Sequence, residues 1–139
     1  MQQVKDLDGL FQNWSLSGTM ANAKLLNKSD LHLKARQLLR ECFPTVQILE
    51  EVPIPLRRSE TLYLDFYLPL LKKCIEVHGS QHYNFTPFYH VNRIGFAKHK
   101  KRDCDKKEWC EINGIVYIEL PYNEKVDQWK ERILHEQNS

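Results

Sequence analysis

Two short apolar segments with ionisable residues inside them constrain this chain most. Residues 62–68 contain Asp65, and residues 73–79 contain Glu76 and His78. Both segments are rich in aromatic and aliphatic residues, which predicts two strands, and the short connection between them favours antiparallel neighbours. A carboxylate is costly to bury in an apolar strand without a partner. The three groups therefore predict a functional site, most simply one that binds a divalent metal ion.

The spacing along the second segment indicates which groups act together. Glu76 and His78 are two residues apart and share one face of the predicted strand, whereas Val77 faces the opposite way. Magnesium prefers few protein oxygens beside water and substrate phosphate, so one Asp and one Glu are enough. We expect Asp65 and Glu76 to bind Mg²⁺, with Mn²⁺ as a substitute and the carbonyl of Val77 as a third oxygen.

Histidines are the candidates for proton transfer at this site. His78 lies on the same face as Glu76 and would act as a general base or donate to a phosphate. His32 lies on a predicted helix, where the ordinary interpretation is a surface or boundary histidine. The alternative is that His32 points into the site made by the strands.

The distribution of charge along the chain is more informative than the net charge of +2, because one segment is strongly basic. Residues 93–107 contain two acidic residues and these basic ones: Arg93, Lys98, Lys100, Lys101, Arg102, Lys106 and Lys107. A basic stripe beside a carboxylate site is typical of a nuclease, although a solvated helix face is a common alternative. We expect DNA phosphates to bind Lys98, Lys100, Lys101, Arg102 and Lys106. The aromatic segment 80–95, which includes His82, would pack as a lid or contact bases.

The remaining pattern predicts an α/β domain over residues 29–139, preceded by a helical arm or extension over residues 1–28. Ser29 is a predicted N-cap for a helix that ends near residue 42, and a strand follows over residues 46–54. A helix over residues 96–113 ends at Asn113-Gly114. Residues 115–120 form a strand that we expect to be central, and Asn123 caps a last helix with Val126, Trp129 and Ile133 buried. The order α-β-β-β-α-β-α predicts a mixed sheet flanked by helices.

Length and composition limit the domain count and the cellular location of the protein. The chain has 139 residues, enough for one domain with a core, and it has neither an apolar run that would span a bilayer nor a signal peptide. We therefore expect a cytoplasmic protein with no membrane partner. The four cysteines show no CxxC pairing, which favours reduced thiols. The alternative is a zinc site that combines Cys104 or Cys110 with His82 or His90.

Several of these motifs together resemble a known superfamily. They are Asp65-Phe66-Tyr67, Ile75-Glu76-Val77-His78-Gly79 with His82, Arg102-Asp103 and Asn113-Gly114-Ile115. Their order and spacing, over roughly residues 29–125, resemble the PD-(D/E)XK nucleases, and most closely the very-short-patch repair (Vsr-like) endonucleases and related phage homing nucleases. The resemblance implies a restriction-endonuclease-like mixed sheet flanked by helices, and Mg²⁺-dependent cleavage or nicking of double-stranded DNA in a bacterial or phage-infected cell.

The chain departs from that superfamily at two positions. His78 stands where the superfamily usually has a lysine, as a histidine does in the Vsr-like branch. Vsr-like members also have an acid on the first helix, where this chain has Asp30 and His32, and Glu60 is an alternative source of that acid at the start of a strand. The residue that acts as general base is therefore open between these groups.

Three functional hypotheses follow from the sequence. The first is a metal-dependent DNA endonuclease, in which a monomer would nick and a homodimer would cut both strands. The second is a DNA-binding module of the same fold without catalysis, which needs only the basic helix and the aromatic segment. The third is a structural or interaction protein in which Asp65 and Glu76 only form salt bridges.

Overall fold

Helices and strands are combined along the chain in an α/β arrangement. The computed structural model describes residues 2–20, 29–80, 83 and 93–136. The strands and helices within these residues are, in chain order, β1 (Gln2–Lys5), β2 (Phe11–Trp14), β3 (Thr19–Met20), α1 (Asp30–Cys42), β4 (Leu49–Arg57), β5 (Glu60–Leu68), β6 (Lys73–His78), α2 (Arg93–Ile112), β7 (Val116–Pro121) and α3 (Val126–His135). From residue 29 onward they follow the predicted order of elements.

The main sheet is mixed. Its strand order is β3-β4-β5-β6-β7, in which β3 contributes a two-residue edge to the four longer strands. All neighbours are antiparallel except β6 and β7, which are parallel. The predicted α/β class with a mixed sheet is confirmed. The predicted central position of residues 115–120 is wrong, because the parallel connection through α2 places β7 beside β6 and leaves β5 in the middle of the sheet.

Each face of the sheet has its own apolar cluster. On one face, Trp109 and Cys110 of α2 pack with Trp14 and with residues of β4 and β5 such as Val52 and Leu64. The other cluster combines α1, α3 and the opposite face of the sheet, with these residues among its members: Leu39, Phe66, Ile75, Ile118 and Trp129. Helices therefore cover both faces, and the central strand β5 contributes to both clusters.

Local signals at the helix ends agree with the structure. The Ser29 side chain accepts a hydrogen bond from the His32 amide at 3.1 Å, so α1 begins at the predicted cap. Helix α2 ends at Ile112, and Gly114 then has a φ of 70°, the left-handed conformation that Gly adopts at least cost. These two predictions are confirmed because they depend on neighbouring residues alone.

The helical form of the predicted arm or extension is wrong over residues 2–14. Strands β1 and β2 form an antiparallel hairpin there, and Val4 and Trp14 are buried in the cluster that contains Trp109. The Asp6 carboxylate accepts hydrogen bonds from the amides of Asp8 and Leu10 in the connecting turn. An aspartate that bonds the following amides favours a turn over a helix. Residues 15–20 lead into the two-residue strand β3, and residues 21–28 of the predicted arm lie outside the described residues.

The last helix differs from its prediction in two details. Its N-cap is Lys125 rather than Asn123, and Val126 is exposed while Trp129 and Ile133 are buried. Within the part of the chain that the structure describes, no helix has the length and apolar character needed to cross a membrane.

Candidate functional site

Asp65 and Glu76 are brought together where strands β5 and β6 separate. The last paired residues before them are Phe66 and Ile75. Beyond that pair, the Asp65 amide donates to Oε2 of Glu76, and the Val77 amide donates to Oδ2 of Asp65 at 2.9 Å. Each carboxylate thus takes the position of a main-chain acceptor on the neighbouring strand. Both side chains are therefore fixed in place by backbone donors.

Glu76 also forms a buried ion pair with helix α2. Its side chain is 3% exposed, and Nζ of Lys106 lies 2.8 Å from its Oε1. Burial, followed by the charge of Asp65, raises the pKa of Glu76 to about 7, although Lys106 opposes the rise. Burial alone would lower the pKa of Lys106, but the charge of Glu76 outweighs it and raises that pKa above its usual value. Lys106 is therefore a firmly charged ammonium group against the carboxylate.

A second group of ligating side chains includes Asp65. Atoms of His32, Glu51 and Asp65 that can bind a metal all lie within 4.8 Å of one another. These residues come from α1, β4 and β5, and His32 is buried while the two carboxylates are half-buried. Asp65 is therefore shared between this group and the pair of Glu76 with Lys106.

In strands β4 and β5, the regular alternation of side chains between the two faces of the sheet is interrupted at Glu51 and Asp65. Regular alternation would put Glu50 on the same face as Val52, and Phe66 on the same face as Leu64. Instead Glu50 contacts α1 and Phe66 packs in the cluster with α1 and α3, whereas Val52 and Leu64 pack in the cluster with α2. The pairs Glu50–Phe66 and Val52–Leu64 flank the change.

A strained backbone accompanies this change. Glu51 has a φ of 53°, in the left-handed region that costs a non-glycine residue about 1–3 kcal/mol. Such conformations cluster at functional sites because the surrounding structure must hold them. With Glu51 in this conformation, both adjacent glutamates approach His32 of α1: Glu50 bonds its Nε2, and Glu51 joins the group with Asp65.

Glu50 is the most buried acidic residue beside this group, with a side-chain exposure of 0%. Its Oε1 lies 2.8 Å from Nε2 of His32, and Arg36 donates to both of its oxygens, at 3.2 and 2.7 Å. Burial alone would raise the pKa of Glu50, but hydrogen bonds from His32 and Arg36 outweigh it and hold that pKa below its usual value. Glu50 is therefore ionised at neutral pH.

His78 belongs to a different set of contacts from Asp65. Its Nδ1 lies 2.8 Å from Oε1 of Glu119, its Nε2 lies 3.4 Å from the Tyr117 hydroxyl, and the Tyr83 hydroxyl donates to Oε2 of Glu119 at 2.7 Å. Burial would lower the pKa of His78, but the hydrogen bond that it donates to Glu119 helps to raise that pKa overall. This histidine shares a face with Glu76, as expected from the spacing, and its contacts include Tyr117 and Glu119 of β7.

Glu60 lies at the far end of β5 from Asp65. It accepts a hydrogen bond from Arg57 at 2.7 Å, and Arg57 is also 3.5 Å from Asp105. The structure therefore does not bring Glu60 to the Asp65 group. The first helix supplies His32 to that group instead of an acid, while Asp30 is exposed in its first turn.

The candidate DNA-binding residues on α2 separate into two environments. Lys98, Lys101 and Arg102 are exposed, whereas Lys106 is turned into the site against Glu76. Lys100 is half-buried, with its Nζ 5.1 Å from the centre of the Tyr83 ring. His82 lies outside the described residues.

Sequence reasoning did not identify Glu50 and Glu51, nor the role of Lys106 as the partner of Glu76. The available signal was a pair of adjacent glutamates inside an apolar predicted strand, which is as unusual as the acids of β5 and β6. For Lys106 there was no local signal, because it meets a residue 30 positions away.

The cysteines are all free in the structure. Cys74 and Cys110 are buried, and their side chains are hydrogen bonded to each other, whereas Cys104 is exposed. No cysteine belongs to a potential metal-binding group among the described residues. His82 and His90, the other half of the alternative zinc site, lie outside those residues.

Comparisons with known proteins find relatives among viral proteins. The chain is 41% identical over 64 residues to uncharacterized protein 307L of Invertebrate iridescent virus 6, covering 46% of this chain and 32% of the relative. It is 32% identical to protein 033L of Invertebrate iridescent virus 3, also uncharacterized, over 62% of this chain and 49% of that protein. Uncharacterized protein 094L of Frog virus 3 is 42% identical over 48% of this chain and 44% of its own length.

The chain thus aligns with a third to a half of the length of these relatives. These relatives are iridovirus proteins and not bacterial or phage proteins, so the comparisons do not support the expected bacterial or phage setting. No family model matches the chain. No solved structure matches it either.

Proposed function

We propose that this protein is a metal-dependent DNA endonuclease with a restriction-endonuclease-like sheet. The observation that carries the proposal is the position of Asp65, which is fixed by a backbone donor between two sets of groups. On one side are His32 and Glu51, and on the other is the buried pair of Glu76 with Lys106. Convergence of carboxylates, an imidazole and a buried amine from five elements is typical of an active centre.

The donor set fits a small divalent cation. Carboxylate oxygens suit Mg²⁺ and Mn²⁺, and an imidazole nitrogen is compatible with Mn²⁺. His32, Glu51 and Asp65 would hold the ion, with Glu76 adjoining through its contact with the Asp65 amide. The Val77 amide donates to Asp65. Because the carbonyl of a strand residue lies on the same edge as its amide, the Val77 carbonyl would be the third oxygen ligand. A bound ion supplies an activated water and charge stabilisation at the scissile phosphate.

The protein's own groups would supply the rest of the chemistry. The carboxylates of Glu76 and Asp65 are held in place by backbone donors, while Lys106 places a buried positive charge 2.8 Å from Glu76. A fixed ammonium group stabilises charge that develops on a phosphate without reorganisation. Lys106 would thus provide the cation that the superfamily resemblance places at residue 78, where this chain has a histidine bonded to Glu119.

Helix α2 would also bind the substrate. Its exposed basic residues Lys98, Lys101 and Arg102 lie on the same helix as Lys106, within 8 positions of it. Phosphate contacts of this kind position DNA without reading its sequence. We therefore propose double-stranded DNA as the substrate, nicked by a monomer or cut in both strands by a homodimer.

One observation favours the second candidate, a DNA-binding module without catalysis. Both oxygens of Glu76 already have protein partners, one in the Lys106 ammonium and one in the Asp65 amide. A carboxylate used in this way can serve structure alone. The basic face of α2 would then bind DNA, and no metal-dependent cleavage would occur.

Cleavage of supercoiled plasmid in Mg²⁺ or Mn²⁺ tests the proposal. We expect open-circle or linear product from the unmodified protein, and a loss of roughly 100-fold or more for Asp65→Asn and for Glu76→Gln, because charge stabilisation at the phosphate is lost. Glu60→Gln is the matched control, since Glu60 contacts Arg57 instead of the site.

The result separates the two candidates. A salt-sensitive gel shift without cleavage would select the DNA-binding module. Equal cleavage by the unmodified protein and by the Asp65 and Glu76 variants would show that the site is assigned wrongly.

A further inference from the structure

Glu50 contacts the imidazole of His32 but is not one of the three residues that converge around Asp65. Its Oε1 is 2.8 Å from Nε2 of His32, and its side chain is fully buried. His32 thus has contacts of two kinds: a hydrogen bond with Glu50, and close approach to the carboxylates of Glu51 and Asp65. The arrangement resembles a metal-binding histidine whose other ring nitrogen is hydrogen bonded to a carboxylate.

Arg36 keeps this carboxylate available as an acceptor. Its Nε and one terminal nitrogen donate to different oxygens of Glu50, at 3.2 and 2.7 Å. A side-on pair of this geometry fixes the carboxylate plane as well as its charge. Because His32 and Arg36 are one turn apart on α1, both reach the same residue of β4.

The hydrogen bond determines which nitrogen of His32 can bind a ligand. An ionised carboxylate only accepts hydrogen bonds, so Nε2 carries the hydrogen and a neutral imidazole keeps its lone pair on Nδ1. The ring is also stacked on Phe66, with centroids 4.5 Å apart and planes at 24°. Both the tautomer and the plane of the ring are therefore fixed.

We propose that Glu50 is a positioning residue that presents Nδ1 of His32 to a metal ion held with Glu51 and Asp65. The inference rests on the proposed metal-dependent function and adds a carboxylate–histidine–metal relay to it. Such carboxylates orient the ring and raise its basicity, and their loss typically weakens metal binding roughly 10- to 100-fold.

A purely structural link between α1 and β4 would not require the hydrogen bond between Glu50 and His32. Arg36 alone neutralises Glu50 and connects the two elements. A buried ion pair is moreover weak evidence for a stabilising role, since apolar residues of similar size often replace one without loss. The additional bond to His32, in a ring that also approaches two carboxylates, points to positioning.

Mn²⁺ binding to the full chain tests the relay through electron paramagnetic resonance, which reports both affinity and coupling to an imidazole nitrogen. We expect the unmodified protein to show the nitrogen coupling and His32→Gln to lose it. Glu50→Gln, and the double variant Arg36→Met with Glu50→Leu, should weaken Mn²⁺ binding roughly 10- to 100-fold and lose the coupling. The double variant leaves no unpaired buried charge, so it should fold.

Glu124→Gln is the matched control. Arg132 donates to both oxygens of Glu124 at 2.7 Å, a similar side-on pair on the α3 side without a histidine. This variant should keep both the affinity and the nitrogen coupling.

The outcomes distinguish the relay from the function on which it rests. If the unmodified protein binds Mn²⁺ and both Glu50 variants keep its affinity and coupling, Glu50 does not position His32, while the metal site stands. If the unmodified protein binds no Mn²⁺, the proposed function fails and the relay with it.

Discussion

At the scale of single residues, the charged groups of this protein are arranged in partnerships that each join different elements. Glu50 joins β4 to α1, Glu76 joins β6 to α2, and Glu119 joins β7 to β6 through His78. Each of these acids is wholly or partly buried, and each has a cationic or imidazole partner. The cost of burying charge is therefore offset locally: the partners lower the pKa of Glu50 and Glu119, whereas burial prevails over Lys106 at Glu76.

The pair of His78 and Glu119 predicts a pH dependence. A hydrogen bond from His78 is the main cause that lowers the pKa of Glu119 to about 2, from an ordinary value of 4.5, and the pKa of His78 is raised above 6.5. The Glu119 contribution to stability is present above pH 4.5 and lost as the pH falls toward 2. The His78 contribution is present below pH 6.5 and lost as the pH rises through its folded pKa.

We therefore expect Glu119→Gln to lower the free energy of unfolding by about 1–2 kcal/mol, most strongly between pH 4.5 and 6.5. Urea unfolding at a series of pH values measures the difference from the unmodified protein. A difference that is constant from pH 3 to pH 9 would contradict the pairing.

At the scale of elements, the β1–β2 hairpin is part of the core and not a detachable arm. Trp14 is 2% exposed, its indole N–H donates to the Pro53 carbonyl at 2.9 Å, and its ring packs edge-on against Trp109 at 5.2 Å. The hairpin is also tied to the end of α2, because Asn113 exchanges hydrogen bonds with the backbone of Lys5. The hairpin thus supports the helix that carries Lys106.

Trp14→Ala should destabilise the whole protein. Deleting a buried indole removes apolar contacts and leaves a cavity, so we expect a loss of about 3–5 kcal/mol in the free energy of unfolding. Phe11→Ala in the same strand is the control, since Phe11 is 70% exposed and its loss should change stability by less than about 0.5 kcal/mol. Similar values for the two variants would show that the hairpin does not contribute to the core.

At the scale of the whole molecule, exposed basic residues are numerous on helix α2. The chain has a net charge of +2, yet α2 has five exposed basic residues, namely Arg93, Lys98, Lys101, Arg102 and Lys107. A local basic surface attracts a polyanion even when the total charge is small. DNA is therefore expected at the α2 face.

Replacing basic residues on α2 should reduce the salt dependence of DNA binding. Removal of one phosphate contact lowers the slope of log K against log salt by about 1, so Lys98→Gln with Arg102→Gln should lower it by about 2. Lys130→Gln with Arg40→Gln, which changes the same charges on exposed residues of α3 and α1, should leave the slope unchanged. Equal slopes for both double variants would place the DNA elsewhere.

The sequence by itself determined the features that depend on neighbours along the chain. Ser29 begins α1 and Gly114 follows the end of α2, because capping involves adjacent backbone groups. Glu76 and His78 share a face because strand residues alternate. The mixed sheet and the order of its helices and strands from residue 29 followed from the same local periodicities.

Only the tertiary structure decided which charged groups meet. Lys106 reaches Glu76 across 30 positions and His32 reaches Glu50 across 18, and neither distance has a periodicity in the sequence. The left-handed Glu51 interrupts the alternation on which strand predictions depend, so the glutamates of β4 could not be placed on a face beforehand. Long-range packing fixes these contacts, because only the folded chain brings α1, β4 and α2 to the two acids of β5 and β6.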